Sequence, residues 1–176
     1  LVMSGGDPSE LAERWWPDHD IVERASAIAD AIHTSPDAER RIAGFAALGR
    51  IGPPESVAPV VRQMLDSQVA GHAAMFLLEK GLATDDEVGD FLDEGPLIDI
   101  LASVTSDPDV MATLFLRMRE RVDDVESVIQ RMWRHPAAET AEVLEVLGRH
   151  LPDKKLAKAA RRALVQHRSW MADPNR

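Results

Sequence analysis

Apolar residues recur at intervals of three and four along most of the chain, which is the period of an α-helix. Helix starts are expected at prolines beside polar residues, as at Pro108 and Pro136, because proline is tolerated in a first helical turn. No stretch alternates apolar and polar residues long enough to predict a strand. The sequence therefore predicts an all-α chain of about ten helices. The expected spans are 8–16, 18–33, 37–50, 54–66, 68–80, 85–93, 96–105, 108–121, 123–134, 137–150 and 153–168.

Short linkers join these spans, so neighbouring helices should pack antiparallel, either as a bundle or as stacked hairpins. An internal repeat favours stacked hairpins. Residues 48–65 match residues 147–164 at a constant offset, with identities at 48/147, 49/148, 50/149, 53/152, 58/157, 62/161 and 65/164. Ordinary residue usage would give only about one or two identities over such a length.

The matched segments are expected to be equivalent hairpins, in which Leu-Gly closes one helix and Pro opens the next. Leu48 and Leu147 should then be buried alike. Pro53 and Pro152 should both stand at the start of a second helix.

A family resemblance supports the repeat. Residues 47–61 read Ala-Leu-Gly-Arg-Ile-Gly-Pro-Pro-Glu-Ser-Val-Ala-Pro-Val-Val and follow the pair Arg40-Arg41, and this segment resembles a HEAT repeat of the short, phycobilisome-lyase-like kind. The acid-rich residues 84–105 depart from the pattern. The resemblance covers residues 36–66 well, and residues 67–81 and 136–165 more loosely.

The resemblance implies a right-handed α-α superhelix, a solenoid of helical hairpins. We expect an N-terminal leader and capping helix over residues 1–17, a HEAT-like repeat domain over residues 18–168 and a C-terminal tail over residues 169–176. Proteins of this architecture serve as scaffolds, adaptors, lyase accessories, iron hydroxylases and alkyl-base DNA glycosylases, so the fold does not select a function.

The chain has 30 acidic and 20 basic residues, a formal net charge of -10, and no cysteine. The lack of Cys excludes disulfides, thiolate zinc sites and cysteine nucleophiles. The apolar stretches are too short for a membrane span, and we expect a cytoplasmic protein. Nucleic acid is an unfavourable partner, because an acidic surface repels polyanions.

Groups that could carry chemistry have simpler structural explanations. None of the 6 histidines precedes a Glu, so the His-Glu pairs that the resemblance implies for iron hydroxylases are missing. Asp18, beside His19, is expected to cap a helix, and His72 to lie in or near the core. The acids around Asp85 and Asp123 should open helices, where the helix dipole favours carboxylates. We expect no catalytic residue, no cofactor and no metal ion.

Tryptophan is a candidate anchor for a partner. Trp15 and Trp16 cannot both face one core, because successive helical residues point about 100° apart. Packing of both across the end of the array explains them as well, and we favour this cap. Trp133 is expected in the core and Trp170 at an exposed position.

Residues 153–168 predict a helix with two contrasting faces. Leu156, Ala160 and Leu164 form its apolar stripe, and the opposite side is basic, with Lys155 at its margin. A solvated polar cap would give the same pattern. Together with Trp15 and Trp16, the candidate partner-binding residues are Lys154, Lys158, Arg161, Arg162 and Arg168.

The sequence predicts a non-catalytic interaction or scaffold module that binds a protein or peptide through its helical-repeat surface. The counterpart is expected to be acidic: a separate protein or peptide, a second copy of this chain, or the remainder of a longer one. The alternative is a nucleic-acid-directed protein such as a HEAT-like alkyl-base DNA glycosylase. Such a protein should bind DNA with an affinity that falls steeply as salt rises.

Overall fold

The regular structure is entirely helical in the computed structural model, which describes residues 20–118 and 124–173. These two stretches hold ten α-helices and two short 3-10 segments, and no strand. The prediction of an all-α fold is confirmed there. The chain divides into two compact units, unit 1 up to Asp93 and unit 2 from Glu94 onward, where the sequence predicted one repeat domain. The expected leader and capping helix lie outside the described residues.

Unit 1 is built around its first helix. The helix α1 packs against both α2 and α3, and α3 packs against α4. Its core is lined by one stripe of α1, where Ala25, Ile28 and Ile32 are buried. The helices are α1 (Ile21–His33), α2 (Ala38–Leu48), α3 (Pro54–Gln63), α4 (Ala70–Glu79) and the single turn α5 (Asp85–Val88), and the 3-10 segments are Met64–Asp66 and Gly89–Phe91.

Unit 2 has a hairpin at its centre. Its last two helices, α9 and α10, pack against each other along their length, α8 packs on α10, and both α6 and α7 pack on α9. Phe115, Ile129 and Leu147 are among the side chains that fill its core. The helices are α6 (Gly95–Ala102), α7 (Pro108–Met118), α8 (Val125–Met132), α9 (Thr140–His150) and α10 (Lys154–Met171).

Local capping explains where several helices begin and end. Asp20 and Glu23 form a reciprocal capping box at the start of α1, with Asp20 accepting from the Glu23 amide at 2.8 Å. Asp37 caps α2 in the same position. Behind α4, Gly81 has a φ of +67°, and Leu82 donates its amide to the carbonyl of Leu77. This is a Schellman motif, which needs glycine at the left-handed position.

Several expected helix boundaries differ from the structure, those of three spans as follows. The span predicted at 85–93 holds only the single turn α5 followed by a 3-10 turn. The helix expected at 137 begins at Thr140, because Thr140 closes a turn by donating its hydroxyl to the His135 carbonyl at 3.1 Å. The last helix runs to Met171 instead of ending at 168, and the first part of the expected tail is therefore helical.

The internal repeat correctly predicted the burial of its leucines and the placing of its prolines before helices. It did not predict which helices pack against each other. Leu48 and Leu147 are 0% and 1% exposed, and Pro53 and Pro152 both stand just before a helix. However, α9 and α10 form a hairpin, whereas the backbones of α2 and α3 approach each other at few positions. In unit 1 the matched segment connects the pair α1 and α2 to the pair α3 and α4. In unit 2 it lies within the pair α9 and α10. The linker motif recurs, but the faces of the adjoining helices decide which helices pair.

Candidate functional site

The exposed side of α10 carries the basic residues of this helix. The helix begins with an Asp153 cap, which accepts from the amides of Lys155 and Leu156 at 2.8 and 3.2 Å. Small side chains let α10 lie close to its neighbours on the buried side. The buried residues are Leu156, Ala157, Ala159, Ala160, Ala163, Leu164 and His167.

Three of the basic residues on α10, Lys155, Arg161 and Arg168, form ion pairs or hydrogen bonds within unit 2. Lys155 pairs with Glu126 of α8, and Arg168 pairs with Glu145 of α9 at 2.8 Å. A hydrogen bond to the Glu126 carboxylate and its charge raise the pKa of Lys155 above its ordinary value. These two cations tie α10 to the helices that it packs against.

Arg161 has a structural role that the sequence did not reveal. Its guanidinium donates to the carbonyl of Gly148 near the end of α9. A Cβ at Gly148 would lie 2.8 Å from Cγ of Arg161, so the side chain crosses α9 where glycine leaves room. The sequence placed Arg161 among the candidate partner-binding residues, but reversing its charge would remove this bond to a helix end.

The remaining three cations have no ion pair or hydrogen bond to any described residue. Lys154, Lys158 and Arg162 are exposed and are spaced four residues apart, so they follow one side of the helix. Val165 follows Arg162 by three residues, on the same side of the helix, and is 69% exposed. Lys158, Arg162 and Val165 line one shallow groove. We call Lys154, Lys158, Arg162 and Val165 the basic face of α10.

A second shallow groove lies on α7 and lacks this charge. It is lined by Val110, Thr113 and Leu114, with Asp109 and Arg117 contributing one charge of each sign. Opposite charges cancel at a distance, so this groove has little power to select a charged partner. The basic face is therefore the better candidate.

The tryptophans are not free anchors where they are described. Trp133 and Trp170 are both half-buried and make an edge-to-face contact with ring centroids 5.9 Å apart. Nδ1 of buried His167 lies 2.9 Å from the Trp133 carbonyl oxygen. Trp170 was expected to be exposed. Its ring instead packs on Trp133, so the end of α10 contacts the end of α8. Trp15 and Trp16 lie outside the described residues.

Buried polar groups were only partly foreseen. His72 is buried, as predicted, and stacks on Phe45 with ring centroids 5.4 Å apart. Asp99 and His135 are also buried, which we did not predict. An acid inside the apolar run of residues 97–104 was the signal available for Asp99. Within the described part of the chain, no three His, Asp or Glu side chains converge as a metal site would require.

Each acidic cluster contributes one carboxylate to a helix cap, although the capping residues differ from those expected. Thr84 and Glu87 form a capping box on α5, and Asp124 accepts from the Ser127 amide at 3.1 Å on α8. Hydrogen bonds from Ser127 lower the pKa of Asp124 below its ordinary value. We had expected the acids around Asp85 and Asp123 to open these helices. The Asp85 side chain accepts no capping hydrogen bond, and Asp123 lies outside the described residues.

Asp124→Ala is expected to lower the melting temperature at neutral pH, whereas Asp85→Ala should change it less, because Asp85 makes no capping hydrogen bond. A lowered carboxyl pKa means that Asp124 stabilises the fold above its ordinary pKa of 3.8 and loses this effect as the pH falls through the lowered value. The wild type and Asp124→Ala should therefore converge in acid. Thermal melts followed by circular dichroism, from neutral pH down into acid, test the expectation. Equal effects of the two substitutions at neutral pH would contradict it.

No helix among the residues described here is long and apolar enough to cross a membrane. Comparisons of this chain with protein-family models, curated proteins and solved structures find no significant match.

Proposed function

We propose that this protein is a non-catalytic interaction module that binds an acidic protein or peptide segment through the basic face of α10. The observation that carries the proposal is that Lys154, Lys158 and Arg162 have no partner in the described residues, although neighbouring cations on the same helix do. A fold stabilised by its own ion pairs does not need three more unpaired cations in a row. An anion bound there would supply the missing partners.

The charge of the whole chain makes this face selective. With a formal net charge of -10, most of the surface repels anions, and a local cationic row is a place where an acidic segment gains Coulomb energy. Exposed Val165 adds an apolar contact at the end of the row. The preferred partner therefore carries carboxylates around an apolar side chain.

The packing of unit 2 favours a HEAT-like architecture for the module. The helices α7 and α8 lie on α9 and α10 respectively, as corresponding helices of successive repeats do in a stacked array. In this interpretation α10 is the second helix of its hairpin, the helix that carries the binding surface in the families that the sequence resembles. The right-handed solenoid and the cytoplasmic location are parts of this proposal.

Protein binding is favoured over the nucleic-acid alternative by the packing of Trp170. A site for single-stranded nucleic acid on this helix would gain affinity from an aromatic ring free to stack on a base. The ring of Trp170 is instead held against Trp133. A short cationic row on an acidic protein also lacks the extended positive surface that phosphate backbones require.

The test compares the wild type with Lys158→Glu/Arg162→Glu, which leaves Arg161 and its bond to Gly148 in place. The probe is a labelled peptide of repeated Glu-Glu-Leu triplets, with a Gln-Gln-Leu peptide as the uncharged control. At about 0.15 M salt we expect the double reversal to weaken binding of the acidic peptide about tenfold or more. Fluorescence anisotropy measures it, and circular dichroism checks the fold.

A matched control keeps the overall charge constant. Lys80→Glu/Arg117→Glu changes the net charge by the same amount at exposed positions that are not part of the basic face, and it should bind the peptide as the wild type does. Equal weakening by both double variants would reduce the effect to net charge and overturn the proposal. Binding of a DNA duplex that depends on Lys158 and Arg162 would favour the nucleic-acid alternative instead.

A further inference from the structure

Unit 1 contains a segment in which acidic and large apolar side chains are both exposed. The side chains of Asp85, Asp86 and Asp90 are exposed and have no hydrogen bond or ion pair with any described residue. Phe91 and Leu92 follow them and are 36% and 46% exposed, although large apolar side chains at the end of a helical turn usually pack inward. We call residues 85–92 the acid–apolar segment.

The neighbouring residues hold the backbone of this segment. The carboxylate of Glu87 accepts from the amide of Thr84 at 2.8 Å and closes the capping box of α5. At the other end, the Asp93 carboxylate lies against Gly71 of α4, where a Cβ would meet it at 2.1 Å. Because Val88 is buried between these anchors, the exposed side chains are presented from an ordered backbone. Binding would then cost little conformational entropy.

We propose that the acid–apolar segment of one copy docks on the basic face of α10 in a second copy. This inference rests on the proposed function and names its partner. Three unpaired carboxylates and two exposed apolar side chains within one short segment match three unpaired cations and Val165 on the basic face. The charges are complementary, and each surface combines them with apolar contact area, as interfaces between proteins do.

The contact joins two different surfaces, so it closes as a two-fold dimer only where two copies exchange it reciprocally, and otherwise it runs head to tail. Each copy carries one acid–apolar segment and one basic face. Two copies can therefore exchange the contact reciprocally as a dimer, or the contact can propagate to further copies. In either case the assembly is concentration-dependent and is weakened by salt.

The test is sedimentation of the full chain over a range of concentrations at about 0.15 M and about 1 M salt, conditions that differ about threefold in screening length. We expect the wild type to self-associate at the lower salt and to dissociate at the higher. Lys158→Glu/Arg162→Glu and Asp86→Lys/Asp90→Lys should each weaken self-association about tenfold or more. Lys80→Glu/Arg117→Glu should leave it unchanged.

A charge swap makes the test specific. When the two double variants are mixed, reversed Glu side chains on α10 meet reversed Lys side chains on the acid–apolar segment, and we expect association to return. Leu92→Ser tests the apolar part of the contact and should weaken self-association without a change in charge. Circular dichroism of each variant verifies that it is folded.

The outcomes separate this inference from the proposed function. A wild type that stays monomeric but binds the Glu-Glu-Leu peptide through Lys158 and Arg162 overturns self-docking and leaves the proposed function in place. Failure of both measurements overturns both. Self-association without rescue in the mixture places the contact between copies elsewhere and also overturns the inference.

Discussion

Phe115→Ala is expected to destabilise unit 2 by about 3–5 kcal/mol, the largest loss that we anticipate for a single side chain in this protein. Phe115 is 1% exposed and belongs to the core formed by α6 to α10. It lies on α7, which packs against α9. Removing a ring at this position leaves a cavity that two packed helices cannot easily close.

Val110→Ala is the matched control for this substitution, because Val110 lies on the same helix and is exposed. It should change the free energy of unfolding by less than about 0.5 kcal/mol. Urea unfolding followed by the helical circular dichroism signal measures both variants. A loss of less than about 1 kcal/mol for Phe115→Ala would mean that α7 contributes little to the core of unit 2.

The helices could be predicted from the sequence because their causes are local. Periodic apolar residues define one buried side of each helix, as on α10, where Leu156 and Ala160 are buried as predicted. Capping residues such as Asp37 and Asp153 lie within three residues of the amides that they satisfy. Such signals can be read without knowing which helices meet.

Helix pairing could not be predicted, because it depends on the fit between surfaces that are distant in sequence. Residues 48–65 and 147–164 share their linker chemistry, but α1 lies beside α2 and α3 in unit 1, whereas α10 lies beside α8 and α9 in unit 2. A repeat in the sequence therefore predicted burial of its leucines and not the partners of its helices.

The sequence predicted which helix carries the candidate site, but not which of its basic side chains form ion pairs or hydrogen bonds within the fold. Its cationic row follows from residue types on one side of a helix, and that row is exposed as expected. Which cations remain unpaired depends on Glu126, Glu145 and the Gly148 carbonyl, which come from other helices. Only the structure separates Lys158 and Arg162, which are available, from Arg161 and Arg168, which are engaged.

Leu48→Ala and Leu147→Ala are each expected to cost about 2–5 kcal/mol, because a fully buried leucine loses both its transfer free energy and its packing contacts. Leu92→Ala is the control for residue type, since Leu92 is exposed and its truncation should cost less than about 0.5 kcal/mol. Urea unfolding of all three variants gives the comparison.

The order of the two buried leucines distinguishes the repeat hypothesis from the observed packing. Equivalent hairpins would give equal losses at Leu48 and Leu147. In the structure α9 is packed by α6, α7 and α10, whereas α2 packs mainly against α1. The cavity at Leu147 is thus enclosed by more helices and can relax less, and a cavity that relaxes less costs more. We expect Leu147→Ala to be the more destabilising variant, and a larger loss for Leu48→Ala would contradict this account of the packing.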